Sequence, residues 1–243
     1  MTPGDIWLAW ALLAVAAVQV AGRALGWPSL AARLVPRMAG RAPYGVWAVR
    51  LWIALGLPAL GALLLIGRGG AIWTLPAEFA PVAASARAWG VVSPGPVLLG
   101  LASGLLLGAV LTWWRLRRGR GLIEIGRPPR LPRAYDELPA AALLAITAGV
   151  AEEMYFRLAL PLLIAIVCGS AWLGFGLAAA AFGAVHRYQG PVGMAVTGAV
   201  ALLLSAVYLA SGSLWLAMAC HAAIDLNALV IRPWLAMRAG RAA

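Results

Sequence analysis

Seven long apolar stretches, separated by short polar or arginine-bearing segments, dominate the pattern along the chain. They cover approximately residues 6–22, 46–66, 93–114, 138–166, 170–187, 191–210 and 214–231. Apolar runs of about 17 to 22 residues are long enough for a helix to cross the roughly 30 Å hydrocarbon layer of a bilayer. A backbone in that layer must satisfy its own hydrogen bonds, so runs of this length imply helices. The pattern therefore predicts an all-α, polytopic transmembrane bundle of about seven spans. The first 22 residues contain neither Arg nor Lys. Without a basic leading region, the first stretch reads as a retained span and not as a cleaved signal.

Between the first two spans, RALGWPSLAARLVPRMAGRAPYG combines Arg with Trp27 and Tyr44, as expected for a segment lying along the membrane interface. AIWTLPAEFAPVAASARAWG is expected to do the same on the opposite side. RLRRGRGLIEIGRPPRLPRAYDEL is the main polar loop. Three regions are anticipated: N-terminal spans with Arg-rich interfacial loops over 1–137, a helical core over 138–231, and a tail over 232–243. Gly100, Gly104 and Gly108 form a small-residue stripe on the third span and are expected to serve helix packing.

Composition agrees with this picture. The chain of 243 residues is 63% hydrophobic and 11% charged, whereas a soluble domain is nearer half apolar and a quarter charged. The formal net charge of +11 comes wholly from Arg, since Lys is absent. These arginines sit in the connecting segments, so the charge sets topology and does not point to nucleic acid. With the N-terminus outside, sixteen of the 19 Arg fall in cytoplasmic segments, only Arg68 and Arg87 fall outside, and Arg157 lies within a span. This bias predicts an N-out, C-in integral protein of a plasma membrane, of bacterial type. Cys168 and Cys220 both lie in apolar stretches and outline no disulfide framework.

The candidate chemistry is concentrated in the last four spans. Glu152, Glu153 and Asp225 are acids within apolar stretches, and both histidines, His186 and His221, lie on spans. An ionisable group at bilayer depth costs about 3 kcal/mol or more and marks a function facing the bundle interior. Glu153 and Arg157 are four residues apart and can pair on one helix face. Glu152 points about 100° away and remains for chemistry. His221 and Asp225 share the same spacing, and so do Phe182 and His186. Two imidazoles and two carboxylates from three helices suit activation of water, either as general acid and base or by holding a divalent metal. For Glu152 and His186 to meet, the fourth span must begin below the membrane or helices must tilt, and a water-filled cavity open to the cytoplasm is expected to satisfy both.

The motifs Glu152-Glu153-Met-Tyr-Phe-Arg157, Phe182-Gly-Ala-Val-His186 and His221-Ala-Ala-Ile-Asp225 occur in this order on hydrophobic helices. Together they resemble the CPBP family of intramembrane proteases, the CAAX-processing and bacteriocin-processing enzymes also called the Abi family. The resemblance covers about residues 138–231. Two departures are Leu158, where a Gly often follows the family's Arg, and Asp225 in place of an often-seen Asn. The resemblance implies an endopeptidase acting on a membrane-associated or lipidated protein or peptide at the bilayer. By it, Glu152 and His186 activate the attacking water, and His221 and Asp225 hold the oxyanion side or complete a metal site. Glu153 and Arg157 would orient Glu152. A divalent metal such as zinc, held by Glu152, His186, His221 and Asp225, stays open beside direct glutamate–histidine activation. No HExxH is present, which excludes a zincin site. The competing classes are a non-enzymatic membrane regulator, adaptor or immunity protein of the same fold, and, more distantly, a proton- or cation-coupled transporter.

Overall fold

The structure is a computed structural model that describes residues 3–27, 30–35, 43–88, 94–123 and 130–240. Of the sequence landmarks, Arg37, Arg41, Glu124, Arg127 and Arg241 lie outside the described residues. The described residues form helices and connecting turns, with no strand among them. We label the helices α1 (Pro3–Leu25), α2 (Leu30–Leu34), α3 (Tyr44–Leu65), α4 (Ala80–Ala88) and α5 (Pro94–Arg117). Next is α6, which runs through Leu138–Glu153, Met154–Ala159 and Leu160–Cys168. It is followed by α7 (Ala171–Val185), α8 (Gly190–Ser211) and α9 (Leu214–Arg238).

Each of the seven expected spans is a helix. Five are long and apolar enough to cross a membrane: Ile6–Leu25, Tyr44–Leu65, Gly95–Arg117, Arg187–Ser211 and Leu214–Arg238. The helix α6 carries the charged residues, and α7 is an apolar helix of 15 residues, about 22 Å long and shorter than a full crossing. The last helix continues to Arg238, so the first residues of the expected tail, 232–238, are helical.

Two reversals are built the same way. Gly169 and Gly212 adopt left-handed conformations (φ 69° in both) that end α6 and α8, a geometry a side chain would resist. The next residues, Ser170 and Ser213, cap α7 and α9, each accepting a hydrogen bond from the backbone N–H three residues on, at 3.2 Å. The repeated Gly-Ser pair therefore stops one helix and starts the next without a loop.

The spans are not uniform α-helices. Each of α3, α6 and α9 contains a π-helical stretch: Trp52–Gly56, Met154–Ala159 and Asn227–Ile231. In every case a proline follows two residues later: Pro58, Pro161 and Pro233. Proline has no N–H to give the carbonyl four residues back, and its ring crowds that carbonyl. Widening the preceding turn absorbs the conflict. In α3 the carbonyl freed by Pro58 belongs to Ala54, and the Gln19 side chain of α1 donates to it at 2.5 Å.

In lipid, close approach of helices depends on small residues more than on apolar burial. A Cβ added at Gly149 of α6 would lie 2.8 Å from the backbone N of Ala222 on α9. Added at Gly174 of α7, it would lie 2.7 Å from the Pro161 carbonyl O, and at Gly183, 2.9 Å from the Met194 carbonyl O. The stripe on α5 behaves differently. Gly100 and Gly104 have no atom within 4 Å of an added Cβ, and only 6% of the apolar window of α5 is buried. Within this chain those two glycines do not mediate helix packing, because α5 lies at the edge of the bundle.

The main core joins the first half of the chain to the second. Leu55, Leu63, Phe79 and Val82 pack with Ala151, Phe156, Phe175 and Tyr208 in one buried cluster. Phe79 sits edge-on to Phe175 and Tyr208, with centroids 4.8 and 6.2 Å away.

Candidate active site

The three motifs come together where α6, α7 and α9 meet. The Gly149 contact with Ala222 and Met218 brings the end of the α-helical part of α6 against His221, one residue before Ala222. Glu153 is wholly buried and Arg157 is 1% exposed. They form the expected ion pair, Arg157 NH1 to Glu153 Oε1 at 3.0 Å. The same carboxylate oxygen accepts from His221 Nδ1 at 2.7 Å. Glu153 is thus the centre of an Arg157–Glu153–His221 chain, and its hydrogen bond runs to His221.

That bond fixes the histidine. With Nδ1–H donated to Glu153, the opposite nitrogen Nε2 faces the cavity. It lies 3.9 Å from Glu152 Oε2 and 3.7 Å from Asp225 Oδ2. The anticipated His221–Asp225 hydrogen bond is therefore an ion-pair contact at longer range. The separations leave room for a small molecule to bond to Nε2 and a carboxylate together.

His186 is set by its own helix end. Its Nδ1 is 2.7 Å from the Phe182 carbonyl oxygen, which lacks a helical N–H partner at the C-terminus of α7. Donation there makes Nδ1 a protonated nitrogen, and in the neutral ring Nε2 is then an acceptor. Phe182 organises the surroundings. Its ring lies 4.6 Å from the His186 ring and 6.0 Å from the His221 ring, and the Arg157 guanidinium carbon sits 4.3 Å above it. One aromatic face thus supports a buried cation and holds both imidazoles near it.

Glu152, Phe182, His186, His221 and Asp225 all line one cavity of about 760 Å³. Arg23, Trp27, Trp47, Arg50, Arg130 and Tyr188 line it too. None of these six was singled out as a site residue by the sequence reading. Tyr188 was the most accessible of them, since it lies two residues after the second motif and its ring lies 5.7 Å from His186.

Among the described residues, no three His, Cys, Asp or Glu side chains are placed to hold one ion. Glu152, His186, His221 and Asp225 share a cavity without forming a coordination sphere.

Replacing Gly149 with Ala would force α6 and α9 apart. Overpacking of this kind costs about 1–3 kcal/mol, and it acts directly beneath the Glu153–His221 bond. The expected result is a lower thermal midpoint in detergent together with weakened function, whereas Gly100→Ala, in open space, leaves both unchanged.

Residues 134–227 match the family model described as type II CAAX prenyl endopeptidase Rce1-like. No curated protein and no solved structure matches the chain. This match spans the polar turn before α6 through the start of the last π-helical stretch, and so contains all three motifs. The segment that carries the three motifs is therefore similar to Rce1-like type II CAAX prenyl endopeptidases, consistent with the CPBP resemblance of its motifs.

Proposed function

We propose that the protein is an intramembrane endopeptidase that hydrolyses a peptide bond of a membrane-associated or lipidated substrate, with water activated by Glu152 and His186. The observation that carries this reading is the meeting of Glu152, His186, His221 and Asp225 in one cavity inside a membrane bundle.

In this scheme a water lies between Glu152 and Nε2 of His186. As the water oxygen attacks the peptide carbonyl carbon, its proton passes to the Glu152 carboxylate. The carbonyl electron pair moves to oxygen, and the resulting oxyanion accepts a hydrogen bond from protonated His221 Nε2–H. Glu152 then returns the proton to the amide nitrogen, the C–N bond breaks, and acid and amine products leave. Glu153 and Arg157 act by holding His221, while Asp225 stabilises its charged form. The active site opens to the cytoplasmic face in the N-out orientation, where water and substrate enter.

A terminomics comparison in the native host tests this. Wild-type protein is set against Glu152→Gln at equal membrane abundance. Peptide termini that depend on Glu152 are expected. Identical termini, with a phenotype the variant fully rescues, would overturn the protease reading in favour of a regulator or adaptor.

A further inference from the structure

The cavity has a second, oppositely charged region. Arg23 at the end of α1, Arg50 of α3 and Arg130 ahead of α6 all line it. They come from three separate parts of the chain, and each is held by its own local structure. At the end of α1, Gly26 (φ 78°) and the bond from Trp27 N to the Gly22 carbonyl at 2.8 Å form a Schellman-type close. This folds the Trp27 indole over Gly22. Arg50 donates through Nε to the Val35 carbonyl at 2.8 Å, which orients its terminal nitrogens. The backbone of Arg130 is tied by its carbonyl to the Tyr44 hydroxyl at 3.0 Å.

The arginines are weakly compensated. Arg130 has Glu137 at 3.7 Å, too long for a hydrogen bond. Among the described residues Arg23 forms no hydrogen bond or ion pair with a side chain. Glu152 and Asp225 share the cavity, but Glu152 lies about 20 Å along α6 from its Leu138 start, and Arg130 precedes that start. Arg130 and Glu152 are therefore at different depths, while Arg23 lies within electrostatic range of Tyr188, beside the reacting groups. Between Arg130 and Glu152 the wall is apolar, through Leu51, Leu55 and Leu144, and the indoles of Trp27 and Trp47 flank the charged end.

A cluster of guanidiniums at a membrane interface, continuing into an apolar wall, matches one kind of molecule: an anion with a hydrocarbon tail. Arginine forks recognise phosphate oxygens, and basic pockets between membrane helices take anionic headgroups. We propose that this mouth is a binding site for one anionic phospholipid. Its phosphate sits among Arg23, Arg50 and Arg130, and an acyl chain lies along Leu51, Leu55 and Leu144. The proposal does not rest on the protease reading.

The test is a titration of the purified full-length protein in neutral detergent with dioleoylphosphatidylglycerol, read by native mass spectrometry. Dioleoylphosphatidylcholine and inorganic phosphate are the comparison probes. One phosphatidylglycerol per chain is expected to bind saturably, with no matching phosphatidylcholine site and no displacement by millimolar phosphate. At about 1 kcal/mol per arginine, Arg23→Gln/Arg130→Gln weakens binding about 25-fold. Arg117→Gln/Arg118→Gln removes the same charge where the guanidiniums lie over Trp113 and Trp114, and shifts binding less than about twofold. If the first double variant folds poorly, Arg23→Gln alone serves, with about a fivefold loss. Equal losses in the two double variants, equal binding of the two lipids, or displacement by phosphate each overturns the proposal. Repeating the titration with Glu152→Gln reads the lipid site apart from hydrolysis, so failure of one leaves the other standing.

Discussion

Glu153→Gln is expected to cost the folded protein about 3–5 kcal/mol, the usual loss when one partner of a buried ion pair is removed. The Arg157 guanidinium is 1% exposed. Its described contacts are the Glu153 carboxylate at 3.0 Å and the face of Phe182, and no nitrogen of it makes a well-directed hydrogen bond. Without the carboxylate it keeps only the aromatic face, which is worth about 2 kcal/mol when desolvated. Glu153→Gln/Arg157→Met removes the charge together with its counter-ion, and replacing a buried pair by apolar groups is often neutral. Thermal unfolding in detergent should therefore show a large loss for the single variant and recovery in the double. Losses that simply add would mean the two residues do not act as a pair. Recovery of stability should not restore function, because His221 Nδ1 would face a neutral amide in place of the carboxylate that holds and charges it.

The sequence made the spans and the motif faces legible, since both are local. Periodicity places Glu153 with Arg157 and Phe182 with His186, and the structure reports both contacts. Contacts between distant segments were not legible. The Glu153–His221 bond joins residues 68 apart, and it depends on the Gly149–Ala222 approach. A glycine in an apolar run gives no sign of which helix it meets: Gly149 marks the tightest crossing at the site, while Gly100 and Gly104 mark none. The π-helical stretches were visible in principle. Pro58, Pro161 and Pro233 each interrupt an apolar run, and proline in such a run requires either a break or a widened turn. Gln19 was a further sign, a polar side chain in an apolar run that proves to serve the carbonyl freed by Pro58. The cationic end of the cavity stayed hidden because Arg23, Arg50 and Arg130 read individually as topology signals.

Glu152→Gln should separate chemistry from structure. The side chain is 12% exposed and lines the cavity, and His221 Nε2 is 3.9 Å away. Gln occupies the same volume and makes no buried charge orphaned, so the thermal midpoint should stay within a few degrees of wild type. Gln cannot take a proton from water. If Glu152 is the general base, hydrolysis of a reporter peptide by purified protein in liposomes should fall about 10²–10⁴-fold. The contrast with Glu153→Gln is diagnostic: that variant loses stability and function together, whereas Glu152→Gln loses function alone. Prolonged chelation of the wild-type protein should leave the rate unchanged if the carboxylate and imidazoles activate water directly. A loss reversed by zinc alone would transfer that role to a metal. Full activity in Glu152→Gln would remove Glu152 from the chemistry. The buried Arg157–Glu153–His221 chain would then be a structural device of the bundle.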